Sequence, residues 1–184
     1  MRTVHDDVKK VLLTREQIDK RVAELGAQIS KDYAGKEIVM ICLLSGAAWF
    51  ATDLSRAIEN DMRMDFMVAS SYGNGTTTSG NVKVSLDVRT DIVNKHVLLV
   101  DDIIDTGTTF KAISDMLSSR GVASIKTVAL CDKKERRTAE IEADYVGFVI
   151  PDEFVVGFGL DYAGNYRNLP YIGVLKPEVY ARAH

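Results

Sequence analysis

The sequence predicts an α/β protein in which a parallel sheet flanked by helices carries a small β-rich hood subdomain. Three observations predict it. Apolar strand-like runs alternate with amphipathic helical patterns as far as Leu130, which is the signature of right-handed β–α–β crossovers. The run Val97-Leu98-Leu99-Val100 feeds three acids, Asp101, Asp102 and Asp105, and then opens into Thr106-Gly107-Thr108-Thr109. From Tyr145 onward the texture changes, and glycines and aromatics crowd short β-like runs.

Each element has its own signal. Thr14-Arg15-Glu16-Gln17 has the form of a capping box, and Ile18, Val22, Leu25 and Ile29 then recur at helical spacing until Tyr33-Ala34-Gly35. Val39 to Leu44 is a continuous apolar strand that turns at Ser45-Gly46 into a helix through Trp49, Phe50, Leu54 and Ile58. Asp65 to Ser70 and Asn81 to Leu86 read as strands on either side of a polar segment, Ser71 to Gly80. The run at Val97 is a buried parallel strand. The helix after it carries Phe110, Ile113, Met116 and Leu117 and closes at Gly121, and the strand Ile125 to Leu130 follows. In such sheets ligands bind at the carboxyl ends of the strands. Ser45-Gly46, the acidic loop and Cys131-Asp132-Lys133 gather there. Tyr145 to Ile150, Phe154 to Phe158 and Tyr171 to Leu175 are assigned to the hood, folded over the sheet edge. The expectation is one domain over residues 1–184, with the hood mainly from 145–184 together with the N-terminal segment.

Composition narrows the function classes. A net charge of −3 gives no bulk attraction to nucleic acid or to anionic membrane, although local patches leave both open. No apolar stretch approaches the roughly 20 residues needed to span a bilayer, and the first residues lack the apolar core of a signal peptide. Cys42 and Cys131 each lie in an apolar run, as small buried hydrophobes of a reducing cytoplasm do. His5, His96 and His184 form no ligand spacing with each other or with cysteine, so a zinc site is not supported.

The acidic run poses an electrostatic problem. Thr106-Gly107-Thr108-Thr109 reads as a tight turn opening a helix whose free N–H groups would hold a phosphate. Two unit negative charges about 5 Å apart repel by on the order of 3 kcal/mol at an effective dielectric near 20. A helix N-terminus returns only about 0.3–2 kcal/mol to an anion. The arrangement works if the carboxylates face vicinal sugar hydroxyls while the phosphate sits further on, with a divalent cation to reverse the local field. The implied ligand is a phosphorylated sugar with a metal.

Val100 to Thr109 resembles the phosphoribosyl-diphosphate motif of the type I phosphoribosyltransferases. Further segments are similar to the hypoxanthine-guanine branch of that family. They are Asp65-Phe66-Met67, Ser70-Ser71-Tyr72-Gly73, Asp132-Lys133, Asp144-Tyr145-Val146-Gly147-Phe148, the stretch Ile150 to Tyr162, Arg167 and Leu169-Pro170-Tyr171-Ile172-Gly173. The resemblance implies transfer of a 5-phosphoribosyl group to N9 of hypoxanthine or guanine, giving IMP or GMP and pyrophosphate. It implies that Asp101 and Asp102 engage the ribose hydroxyls and organise Mg2+, and that Asp161 binds a second Mg2+ with the pyrophosphate. Asp105 would face N7 of the purine as proton acceptor, and the amides and hydroxyls of Asp105, Thr106, Gly107, Thr108 and Thr109 would cradle the 5′-phosphate. Lys133 would donate to the purine O6, Phe154 would stack on the ring, the Val155 backbone would meet its edge, and Arg167 would contact the pyrophosphate.

The segment from Ser71 and Tyr72 to Gly80 suits a lid that excludes water, and without the resemblance it reads equally as a hairpin tip. Lys133 begins a charge run, Lys133-Lys134-Glu135-Arg136-Arg137, of which Lys133 alone is expected to work and the rest to be a solvated face. The family commonly has Leu-Lys-Gly with a non-proline cis peptide where this chain has Leu44-Ser45-Gly46. Ser45 lacks the lysine charge, so weaker pyrophosphate binding is expected, with backbone contacts from Ser45 or Gly46 retained. The rival of another class is a phosphoribosyl-diphosphate-sensing regulator that binds nucleic acid, against which the acidic balance and the presence of Asp105 and Lys133 favour the purine salvage enzyme. A nearer alternative is the same enzyme with xanthine as its base, which Lys133 does not separate from hypoxanthine and guanine because all three share O6. Its partners would be its small substrates and copies of itself, in a cytoplasmic homodimer or homotetramer, with no nucleic acid and no membrane.

Overall fold

The computed structural model describes residues 3–71 and 82–181. A six-stranded sheet organises them. In chain order its strands are β2 (Ile38–Leu43), β3 (Met62–Ser71), β4 (Val82–Leu86), β5 (His96–Ile104), β6 (Ser124–Asp132) and β7 (Tyr145–Val149), while β1 (Val8–Leu13) lies elsewhere. The spatial order is β4-β3-β2-β5-β6-β7. All neighbours are parallel except the edge pair β3–β4.

Strand β2 shows why helices cover both faces. It is buried along its whole length, so its alternating side chains feed two separate cores. Ile38, Met40 and Cys42 meet Ile18, Val22, Leu25 and Ile29 of α1 (Arg15–Asp32) and Phe50 and Leu54 of α2 (Ala48–Ala57). Val39, Ile41 and Leu43 meet Phe110, Ile113 and Leu117 of α3 (Thr108–Ser118) on the other side. The capping box at Thr14 forms as expected: the Thr14 hydroxyl accepts from the Gln17 N–H, and the Gln17 side chain accepts from the Thr14 N–H.

Strand order reverses between β2 and β5, and in open α/β sheets such a reversal leaves a crevice beyond the carboxyl ends of the two strands. The loops after β2 and β5 therefore face one another across it. Strand β5 runs four residues beyond the apolar run, through Asp101 and Asp102 to Ile104, because Asp101, Ile103 and Ile104 keep pairing with β6. The acids are strand residues, not loop residues.

The hood differs in one respect from the sequence expectation. The sequence assigns Tyr145 to Ile150 to it, yet β7 pairs in parallel with β6 as an edge of the main sheet. Side chains fix it there. Asp144 accepts from the N–H and hydroxyl of Thr127, the Tyr145 hydroxyl donates to Asp32, and Arg21 of α1 donates to the carbonyls of Val146 and Gly147. The hood sheet consists of β1, β8 (Val155–Val156) and β9 (Ile172–Leu175), antiparallel in the order β1-β9-β8. A short helix, α4 (Pro177–Tyr180), follows. Among the described residues no helix is long and apolar enough to cross a membrane.

Candidate active site

A cleft of about 420 Å³ occupies the crevice between β2 and β5 and extends under the hood. Leu43, Leu44 and Gly46 line it from the β2 side, and Asp101, Asp102, Ile103, Asp105 and Thr109 from the β5 side. Lys133 and Arg136 enter after β6, while Phe154, Val155, Leu160, Asp161 and Arg167 close it from the hood. Most of the residues singled out in the sequence therefore converge. Ser45, Thr106 and Gly107 sit in the flanking loops and Thr108 begins α3, none of them lining the cleft. Ser71 ends β3, and Tyr72, with the rest of the expected lid, lies outside the described residues.

The acid pair is tightly built. The Asp101 carboxylate accepts from the Asp102 N–H at 2.9 Å, and that of Asp102 from the Ile103 N–H at 2.8 Å. Burial, and then the charge of Asp102, push the Asp101 carboxyl well above the usual carboxylate range. Burial also raises Asp102, against the opposing pull of its hydrogen bonds and of Arg167. Two carboxyls so close do not titrate independently, and a cation beside them would offset both the burial and the mutual repulsion. Gly46 closes one side of it: a Cβ there would fall 1.8 Å from Asp102 Oδ2, so no larger residue fits without displacing the carboxylate. The peptide Leu44–Ser45 before it is cis.

The loop after β5 is held open by its own backbone. Gly107 takes a left-handed φ of 83° and has no side chain with which to cap α3, and the Thr108 N–H donates only over 3.4 Å, to the Thr106 hydroxyl, so the N-terminus of α3 is weakly capped and suits an anion. The neighbouring loop grips it from behind. The Thr106 carbonyl accepts from the N–H groups of Thr138 and Ala139, each at 3.0 Å, and Arg137 donates to the Asp105 carbonyl at 3.2 Å. Arg137 also donates to the Ile141 carbonyl at 2.6 Å and pairs with Asp132, which is fully buried.

This corrects the view of the charge run as solvated beyond Lys133. Arg137 is buried structure, and Arg136 lines the cleft, its Nε 3.2 Å from Asp105 Oδ1. The signal that singled out Lys133, a position just past a strand end on the ligand side, applies to the whole turn. Lys133 is 7% exposed, with Nζ 3.8 Å from Asp152. In the hood, Arg167 donates to the Gly159 carbonyl at 2.5 Å and pairs with Asp161 at 3.0 Å, while the other Asp161 oxygen accepts from the Gly164 N–H. Among the described residues no three His, Cys, Asp or Glu side chains cluster as a metal cage. The two thiols near the site are buried, and burial with the nearby aspartates pushes Cys42 up to about 12 and Cys131 further.

A parallel sheet with an acid pair at its switch point, running straight into a glycine turn that opens a helix, is the arrangement the sequence leads one to expect of a class that handles phosphorylated sugars. The chain belongs to the phosphoribosyl transferase domain family, whose sequence model matches residues 10–163. Relatives place it in the hypoxanthine-guanine branch. It is 53% identical to a hypoxanthine-guanine phosphoribosyltransferase of Staphylococcus aureus (strain Mu50), over 97% of this chain and 99% of the relative. It is 52% identical to the enzyme of that name from Streptococcus pneumoniae (strain R6), with the same coverage. A crystal structure of a hypoxanthine phosphoribosyltransferase from Staphylococcus aureus superposes with a TM-score of 0.94 at 54% identity, covering 98% of both chains.

Proposed function

We infer that the chain performs purine salvage, moving the 5-phosphoribosyl group from 5-phosphoribosyl 1-diphosphate to N9 of hypoxanthine or guanine. One observation carries the reading. A single cleft is lined by the acid pair, by Thr109 of the first turn of α3, by a buried lysine, Lys133, and by a half-exposed phenylalanine, Phe154.

The residues divide the work. Asp101 and Asp102 accept from the ribose hydroxyls, and the amides and hydroxyls from Thr106 to Thr109 take the 5′-phosphate. Lys133 donates to O6 of the base. That excludes adenine, whose amino group at the same place is itself a donor. Phe154 stacks on the ring and the Val155 backbone meets its edge. Asp105 reaches N7 and accepts a proton there, for which a carboxylate is competent at neutral pH. Loss of pyrophosphate leaves an oxocarbenium-like C1′, and Arg167 takes up charge developing on the leaving group.

Mg2+ fits the donor set: two adjacent, half-buried carboxylates facing one cleft favour a cation, and magnesium binds through one or two carboxylates plus substrate phosphates. When bound it neutralises the diphosphate as it departs. Asp101 and Asp102 would hold it, and Asp161, each of whose oxygens has a spare lone pair, would hold a second ion. We place the protein in the cytoplasm as a homodimer or homotetramer, a state that light scattering in solution measures.

The test is an assay with phosphoribosyl diphosphate, Mg2+ and each of hypoxanthine, guanine, xanthine and adenine. Product is expected with hypoxanthine and guanine and not with adenine. Failure to form product with any base would refute the reading.

A further inference from the structure

We propose that Tyr180 is a positioning residue for the purine side of the cleft, acting through Phe154. The proposal rests on the reading of Phe154 as the residue that stacks on the base. Phe154 is 40% exposed, although it lines the cleft. A phenyl ring so placed has free rotamers to lose, and ordering it on each binding event weakens binding.

Two other rings remove that freedom. Tyr180 lies nearly parallel to Phe154, with centroids 5.2 Å apart and planes at 22°. Tyr162 meets it edge-on at 5.5 Å and 86°. Both arrangements fall within the favoured aromatic geometries. Neither tyrosine lines the cleft. Tyr180 therefore stacks on one face of Phe154 without itself lining the cleft, and the opposite face is the one assigned to a base. The stack would run base, Phe154, Tyr180.

Tyr180 is itself anchored. The Leu175 N–H donates to the Phe154 carbonyl at 2.8 Å, which ties the end of β9 to the residue that Tyr180 backs. Lys176 donates from its N–H to the Asp7 carbonyl and from Nζ to the Asp6 carbonyl. Pro177 then starts α4 with its φ already set for a helix. The ring also packs on the hood core of Val156, Leu169 and Leu175.

The test is steady-state kinetics of Tyr180→Ala and Tyr180→Phe, alone and in a Phe154→Ala background, with both substrates varied. Tyr180→Ala is expected to raise the purine KM about 2- to 10-fold, the size of an aromatic pair interaction, with the phosphoribosyl diphosphate KM within about twofold of the parent by the uniform-binding argument. Tyr180→Phe should restore the parental value, since the hydroxyl plays no part in the stack. In the Phe154→Ala background Tyr180→Ala should add nothing further. An unchanged purine KM, a parallel rise in both KM values, or failure of phenylalanine to rescue would overturn the proposal. A Phe154→Ala protein that keeps the parental purine KM would instead overturn the underlying reading of Phe154.

Discussion

Arg137→Leu is expected to be the most damaging single change outside the cleft. Arg137 is paired with Asp132, a carboxylate buried completely at the end of β6, and also donates to the carbonyls of Asp105 and Ile141. Leucine fills much of the space but leaves Asp132 charged, buried and without its partner. Breaking a buried pair in this way costs about 3–5 kcal/mol. For a chain of this size each kcal/mol lowers Tm by roughly 2–4 °C, so the melting point should fall by about 6–20 °C. Thermal unfolding followed by circular dichroism measures it. Combining Arg137→Leu with Asp132→Asn should recover part of the loss, because an amide is cheaper to bury than an unpaired charge. A drop of under about 3 °C, outside the range set by the pair energy, would refute the reasoning. So would a double variant that loses the full sum of the two single changes.

Three further outcomes are expected. Asp105→Asn should lower kcat by roughly 10²–10⁴-fold with little change in affinity for phosphoribosyl diphosphate; equal losses in both would make Asp105 a binding residue. Ser45→Lys, which supplies the charge this chain lacks, should tighten pyrophosphate binding, measured by product inhibition, and an unchanged inhibition constant would count against that role. Asp65 is partly buried, which alone would raise its pKa, but N–H groups of Phe66, Arg89 and Thr90, each at 2.7 Å, hold it below the usual carboxylate range. A depressed carboxyl contributes stability above its unfolded pKa, and that contribution is lost as pH falls through the folded value. Asp65→Asn should therefore melt below the parent at pH 7, with the gap closing in strong acid; a gap independent of pH would show that charge is not the cause.

Legibility in the sequence followed how local each cause was. The helix α1 was readable because its cap, its spacing and its end all lie within its own residues. The acid run and its glycine turn were readable for the same reason. Strand β1 was not, because Lys9, Lys10 and Val11 are exposed and its strand character comes only from pairing with β9, far along the chain. β7 was given to the wrong sheet because its glycine and aromatics resemble the hood, while the contacts that hold it come from Asp32, Arg21 and Thr127. Arg136 was hidden by its neighbours, since one solvated-looking run contains a cleft residue, a buried ion-pair partner and exposed charges. Phe154 and Asp161 were found only through resemblance, and no spacing rule would have selected them.

The position of β9 has a consequence for the order in which the molecule assembles. It is the central strand of the hood, between β1 and β8, and the last of the described strands to be synthesised. The six strands of the main sheet are complete at Val149, so the acid pair and the phosphate turn can take shape on the ribosome while β1, made first, waits unpaired. Domains tend to fold as their residues emerge, but here the first strand needs nearly the last. A nascent or truncated chain lacking residues 172–175 would hold the acid pair, the glycine turn and Lys133, but not the β8–β9 pairing that seats Phe154 and Val155.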